Sequence, residues 1–335
     1  MTIEERLAAF IKLGNKLRNL SEIELDEWYF RATGFNNWFT RENVSHAVKA
    51  IGGMLEEEKL RKWIAPYSLD SSTGKTVAII MAGNIPLVGF HDFLTVLMAG
   101  HKVLAKLSSQ DPFLLKKVSE LLISIEPRFE ERIVLTKDPI RNFDAVIATG
   151  SNNSARYFDQ YFAKYPHIIR KNRTSAAILS GKESVEEVEA LGRDMFQYYG
   201  LGCRNVSKLF VPAGYDFQFF INSLQSFNTL ADHHKWVNNY DYNKSIYLVN
   251  REPHFDSGFF LLKEDKDWVS PISVIYYEFY QNEEDLQQKM NENKSLIQCV
   301  VGKGENELAP GTAQMPELWN YADGVDTMEF LTKKI

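Results

Sequence analysis

The feature that most constrains this chain begins at Thr76. Thr76-Val77-Ala78-Ile79-Ile80-Met81-Ala82 is apolar almost without interruption and stops at Gly83-Asn84-Ile85-Pro86. A strand with one face in water would alternate; a continuous apolar run reads as buried on both faces, as in a parallel sheet covered by helices. The pattern then repeats. Leu87 to Gly100 reads as helix, His101 to Leu107 as the next strand, and Ser108-Ser109-Gln110-Asp111-Pro112 opens a helix through Ile123. Short strands are expected at Ile133–Leu135 and Asp144–Ala148, followed by Thr149-Gly150-Ser151 and a helix from about Asn152 to Ala163. Alternation of this kind implies right-handed crossovers, and such sheets bind ligands beyond the C-terminal ends of their strands. Gly83-Asn84, Lys106-Leu107-Ser108-Ser109 and Thr149-Gly150-Ser151 all fall at that edge.

The flanking segments differ in texture. Residues 1–66 read as helical, with Ile3, Leu7, Phe10, Ile11, Leu17 and Leu20 on one face; Gly14 interrupts that face. Trp28, Tyr29, Phe30, Phe35, Trp38 and Phe39 form an aromatic-dense stretch, read as core packing with the wall of an acyl tunnel as the alternative. After short strands at Ile168–Arg170 and Ala176–Leu179, a second α/β unit is entered near residue 180. It comprises a helix from Ser184 to about Tyr198, a strand at Lys208–Val211 and a helix from Asp216 to Phe227. Further strands are expected at Ile246–Val249, Gly258–Lys263, Ile272–Phe279 and Ile297–Val301, with a helix from Glu283 to Asn291 and a short closing helix after Asp326. The expectation is an α/β protein with two Rossmann-like lobes behind an N-terminal helical segment.

Composition removes several function classes. The net charge of −6 disfavours nucleic acid or an anionic membrane as the main partner. No apolar run reaches the roughly 18 residues of a membrane span, and Met1-Thr2-Ile3-Glu4-Glu5-Arg6 lacks the order of a signal peptide. Two cysteines, Cys203 and Cys299, suit a reducing compartment and lack zinc-site spacing, so no metal site is expected and the expected location is cytoplasmic. Adjacent His233 and His234 point different ways on a helix and read as solvated or capping residues.

Cys203 lies in Gln197-Tyr198-Tyr199-Gly200-Leu201-Gly202-Cys203-Arg204-Asn205, with glycines one and three residues before it. Glycine permits close backbone approach, and Arg204 or a helix starting here would stabilise a thiolate nucleophile. Taken alone, the stretch favours a small buried hydrophobe. Neither Gly-x-Gly-x-x-Gly after a strand nor a P-loop is present, so a dinucleotide would need another scheme. Lys106 followed by two serines reads as a solvated charge or as a phosphate or ribose contact.

In chain order, these pieces resemble the aldehyde dehydrogenase superfamily: Met81-Ala82-Gly83-Asn84-Ile85-Pro86-Leu87, Lys106-Leu107-Ser108-Ser109, Ala148-Thr149-Gly150-Ser151, Leu179-Ser180-Gly181-Lys182, Gly202-Cys203 and Val269-Ser270-Pro271-Ile272. The tail, Gly311-Thr312-Ala313-Gln314-Met315-Pro316 and Tyr321-Ala322-Asp323-Gly324-Val325-Asp326-Thr327, is similar to its acyl-CoA reductase branch, which includes the bacterial luminescence fatty-acid reductase.

That resemblance implies an aldehyde dehydrogenase-like fold. Residues 1–178 would hold the N-terminal helices and bind the nicotinamide cofactor, 179–308 would be catalytic, and the tail 309–335 would return to the first lobe. Cys203 would attack an acyl-CoA or other acyl thioester and hold the acyl group until it is reduced to the aldehyde. Asn84, otherwise a turn former, would be the side-chain oxyanion donor with the Cys203 N–H. Lys106 would bind the adenosine ribose. Ser108 and Ser109, where a ribose-binding glutamate often stands, would favour NADPH over NADH. Thr149, Gly150 and Ser151 would meet the pyrophosphate, Ser180 and Gly181 would complete the cofactor site, and Asp267 would hold the nicotinamide ribose. Ile178 would stand where hydrolytic members carry a glutamate, which argues for reduction over hydrolysis. The family's association with an acyl-protein synthetase implies such a partner. The chain is shorter than most members, so an oligomer would carry reduced interface elements. The alternatives are an aldehyde dehydrogenase that makes free acids and a catalytically silent acyl- or partner-binding protein of the same fold.

Overall fold

The computed structural model describes residues 1–69 and 74–335, which divide into two units: 1–172 with 317–335, and 173–316. Helices α1 (Ile3–Arg18), α2 (Glu22–Thr33), α3 (Arg41–Met54) and α4 (Glu57–Ile64) open the first. Thr2 and Ser21 start α1 and α2 through capping boxes with Glu5 and Glu24, satisfying N–H groups that a helix start leaves without partners. Leu7, Phe10, Leu13 and Leu17 form the buried stripe of α1. Gly14 belongs to it: a Cβ there would fall 2.6 Å from the Leu55 Cβ, so glycine allows the close approach of α1 to the end of α3. Trp28 and Phe39 are core residues, whereas Phe30 and Phe35 are exposed.

The sheet of this unit follows, with β1 (Thr76–Ile80), α5 (Phe90–Met98), β2 (Lys102–Lys106), α6 (Leu114–Ile125), β3 (Ile133–Thr136), β4 (Ala145–Thr149), α7 (Asn152–Phe162) and β5 (His167–Arg170). Its order is β3-β2-β1-β4-β5, every pair parallel. The continuous apolar runs become the central strands, as two-sided burial requires.

The second unit contains β6 (Thr174–Ile178), α8 (Val185–Phe196), β7 (Val206–Pro212), α9 (Phe217–Ser223), α10 (His234–Asn250), β8 (Phe255–Asp256), β9 (Leu261–Glu264), β10 (Val274–Tyr280), α11 (Glu283–Glu292) and β11 (Ile297–Val301). Its sheet runs β11-β6-β7-β10-β9-β8 and is parallel except for β8. The expected boundary at 178 falls at 172, because β6 pairs within this second sheet. Residues 309–316 also belong here, and the tail joins the first unit from Glu317.

The strand expected at Ile246–Val249 is the end of α10. Trp236, Tyr240, Asn243 and Tyr247 are buried at helical spacing, while Leu248 and Val249 face solvent. A four-residue apolar run does not distinguish a strand from a helix end.

The last helix, α12 (Thr327–Lys333), packs in the first unit, and the Tyr321–Thr327 motif fastens it there. Trp63 Nε1 donates to Tyr321 Oη at 2.7 Å, Tyr67 Oη to Asp326 at 2.6 Å, and buried Arg170 to Thr327 Oγ1 at 2.9 Å. Among the described residues no helix is long and apolar enough to cross a membrane.

Candidate active site

In the first unit, three loops leave the C-terminal ends of neighbouring strands. The loop after β1 carries Asn84, half-buried, and is held from several sides. Asn36, itself buried, donates to the Gly83 carbonyl at 3.0 Å. Asp111, on the loop after β2, accepts from the Leu87 N–H at 3.0 Å and from Leu114 at 3.1 Å. A Cβ on Gly83 would lie 2.5 Å from Ser108 Oγ, so the two loops are in contact. Burial pushes the Asp111 carboxyl up to about 6, against the pull of its backbone N–H partners. By sequence alone Asn36 reads as a turn residue and Asp111 as part of a helix-opening segment. Their long-range bonds are visible only in the fold.

Lys106, the last residue of β2, donates from Nζ to the Lys137 carbonyl at 3.1 Å. Ser108 Oγ accepts from the Gln110 N–H at 3.2 Å, and Ser109 is exposed. Thr149 ends β4, the Gly150 N–H donates to the Arg170 carbonyl at 3.3 Å, and Ser151 caps α7 by accepting from the Ser154 N–H at 3.2 Å. These residues lie on the loops flanking β1, as the alternation of strands predicts.

In the second unit Cys203 is exposed, on the loop between α8 and β7. No helix starts there, since Val206 opens β7, so the helix-terminus route to a stabilised thiolate is removed. Tyr198 and Tyr199 are left-handed, with φ of 57° and 56°, and Tyr199 packs on His233 at 4.3 Å between ring centroids. Asn205 Oδ1 accepts the Gly202 N–H at 2.8 Å, which engages one backbone donor beside the thiol. Ser175 Oγ donates to the Cys203 carbonyl at 3.0 Å and lies 3.1 Å from Cys299 Sγ. Burial raises the Cys299 thiol, and hydrogen bonds from Ser175 and Arg204 oppose the rise. Arg204, expected to act on Cys203, thus bears on the other cysteine.

The parallel pairing of β6 with β7 separates two groups of expected residues. Ser175 pairs with Val206, so Cys203 lies at the N-terminal edge of these strands. Ile178, Ser180 and Gly181 lie at or beyond the C-terminal end of β6, where the Leu179 N–H donates to the Phe210 carbonyl. Along β6, Ile178 stands three residues beyond Ser175, which bonds the Cys203 carbonyl, or about 10 Å at about 3.3 Å per residue. Ser180 Oγ and N–H and the Gly181 N–H donate to Glu183 at 2.7, 2.7 and 3.1 Å. Ser180 and Gly181 therefore organise a turn away from Cys203, and Ile178 does not bear on the fate of a group carried by Cys203. The reason is topological: in parallel strands a loop entering one and a loop leaving its neighbour occupy opposite edges. Pro271–Ser273, before β10, shares the edge of Cys203, because Val274 of the parallel β10 opens its strand as Val206 does β7. Asp267 is exposed and donates its N–H to Asp265 at 3.0 Å, while the neighbouring Trp268 carbonyl accepts from Ser207 at 2.9 Å near the start of β7.

The family model described as acyl-CoA reductase (LuxC) matches residues 10–219. The fold is similar to that of P. syringae AldA, an indole-3-acetaldehyde dehydrogenase solved as a mutant in complex with NAD+ and IAA, at 12% identity and TM-score 0.64, covering 91% of this chain and 73% of that one. It is also similar to an acetylating aldehyde dehydrogenase of Geobacillus thermoglucosidasius at 11% identity and TM-score 0.65, covering 91% and 77%. An E. coli NADP dependent enzyme matches at 15% identity and TM-score 0.64, covering 98% and 79%. No curated protein matches.

Proposed function

The chain belongs to the acyl-CoA reductase (LuxC) family, and from that premise we propose that it reduces a fatty acyl-CoA or other acyl thioester to the aldehyde with NADPH, through a thioester on Cys203. The observation that carries the reading is an exposed cysteine inside the matched segment, on a loop pinned by Ser175 and Asn205.

The Cys203 thiolate attacks the acyl carbon. The carbon–sulfur bond to the carrier breaks, and the departing thiolate takes a proton from solvent. A nicotinamide cofactor, when bound, would supply a hydride to the same carbon. The bond to Cys203 then breaks, releasing aldehyde and restoring the thiolate. Charge that develops on the acyl oxygen needs preorganised donors. We assign that role to the backbone N–H of Cys203, which belongs to the attacking residue itself.

A dinucleotide suits the first unit's sheet edge. Order β3-β2-β1-β4-β5 puts the reversal of strand order between β1 and β4, where such sheets take nucleotides. Ser151 keeps the N-terminus of α7 ordered, and a helix start with its N–H groups favours a pyrophosphate. Lys106, Ser108 and Ser109 offer positive charge and hydroxyls to a 2′-phosphate, and positions 108 and 109 carry no carboxylate.

The test is cofactor consumption across an acyl-CoA length series with NADPH and NADH, alongside intact-mass detection of acyl adducts. Aldehyde production and an adduct that vanishes in Cys203→Ala are expected; undiminished activity in that variant would sink the reading. Free acid formed from aldehyde without CoA would replace it with aldehyde oxidation.

A further inference from the structure

Helix α8 stops abruptly beside the proposed nucleophile. Gln197 leaves helical geometry with ψ of 136°, and two left-handed residues follow. The last carbonyls of a helix lack partners within it. Here one side chain supplies them: Asn205 Nδ2 donates to the carbonyls of Asp194, Met195 and Gln197 at 3.0, 3.3 and 2.7 Å. The same amide accepts the Gly202 N–H through Oδ1. Asn205 is 2% exposed, and an amide suits the position because it donates and accepts at once.

Asp194 is shared with a second segment. Its buried carboxylate accepts the Gly311 and Ala313 N–H groups at 2.6 and 2.9 Å, and its carbonyl also lies 3.4 Å from the Gln314 side-chain amide, which donates to it. A continuous chain of hydrogen bonds therefore runs from Gly311–Ala313 through Asp194 and Asn205 to the glycine before Cys203.

We infer that Asn205 is the positioning residue of the Cys203 loop, and that Asp194 couples this loop to the Gly311–Ala313 segment, so that the segment sets how the thiol is presented. The inference rests on Cys203 being the nucleophile of the proposed reduction.

Alkylation by iodoacetamide, followed by intact mass across pH in a Cys299→Ser background, reads Cys203 without requiring turnover. Asn205→Asp keeps the size of the side chain but sets a carboxylate against three carbonyls. It is expected to slow alkylation about tenfold or to move its pH midpoint by about one unit, and to lower kcat with KM for the nicotinamide cofactor unchanged. Wild-type rate and midpoint in Asn205→Asp would overturn the positioning role. Gly311→Ala perturbs the coupled segment where it meets α8: φ there is 86°, and a Cβ would lie 3.0 Å from Arg193 Nη2 and 3.2 Å from the Ala190 Cβ. A shift in the same direction, about two- to fivefold, is expected; none would overturn the coupling. Should Asn205→Asp lose its cooperative unfolding transition, Asp194→Asn and Gly311→Ala decide the question by the same readout. A wild type that alkylates with these dependences yet reduces no acyl thioester would sink the proposed function and leave the loop assignment standing.

Discussion

The Asp111 carboxylate accepts the Leu87 N–H at 3.0 Å, tying the loop after β2 to the loop that carries Asn84. Burial holds this carboxyl at about 6, above its ordinary 3.8. A raised carboxyl favours the folded state when protonated, so its stabilising contribution is complete below about 3.8 and is lost as pH rises through about 6. The stability advantage of wild type over Asp111→Asn is therefore expected to grow by about 1–3 kcal/mol between about pH 7 and pH 4. Denaturant midpoints of both proteins across that range check it, and a gap that is constant or shrinks on acidification would refute it.

Lys208 is fully buried, with Glu278 at 2.9 Å and the Asp265 carbonyl as partners. Removing Glu278 takes the carboxylate from a fully buried ammonium, whereas removing Lys208 leaves Glu278 paired with Lys289 at 3.4 Å. Glu278→Ala is expected to cost about 3 kcal/mol, and Lys208→Met less, because methionine leaves no buried cation. Chemical denaturation of the two variants gives the order; a costlier Lys208→Met would contradict the account.

Ser175 lowers the Cys299 thiol that burial raises. In a Cys203→Ala background, Ser175→Ala should move the pH midpoint of Cys299 alkylation upward. A downward movement would mean that the hydroxyl opposes thiolate formation.

Ser109 is exposed on the loop after β2. Ser109→Glu adds a carboxylate that repels a 2′-phosphate and accepts from a ribose diol. The kcat/KM ratio for NADPH over NADH should fall about tenfold, equivalent to about 1.4 kcal/mol. An unchanged ratio would remove Ser109 from the phosphate site.

The first sheet was legible because continuous apolar runs separated by helical spans admit few topologies. Its strand-end loops, with Asn84, Lys106 and Ser151, follow from that alternation. The N-terminal stripe of α1 was legible too, and Gly14 within it marks a close crossing. The second unit was harder. Ile246–Val249 looked like a strand because its neighbours in space, not in sequence, decide which residues of α10 are buried. Ser180 and Gly181 matched a motif by local spelling, yet β6 carries them to the edge opposite Cys203.

Local pattern thus determined the element types of the first sheet, the order of its strands along the chain and the cysteine loop itself, since these depend on periodicity and on glycine within a few residues. Tertiary structure alone decided which loops share a sheet edge, that Asn36 reaches Gly83, and that Asn205 joins the end of α8 to Gly202. Those facts depend on strand direction and on hydrogen bonds closed between distant segments. No short window of sequence encodes them.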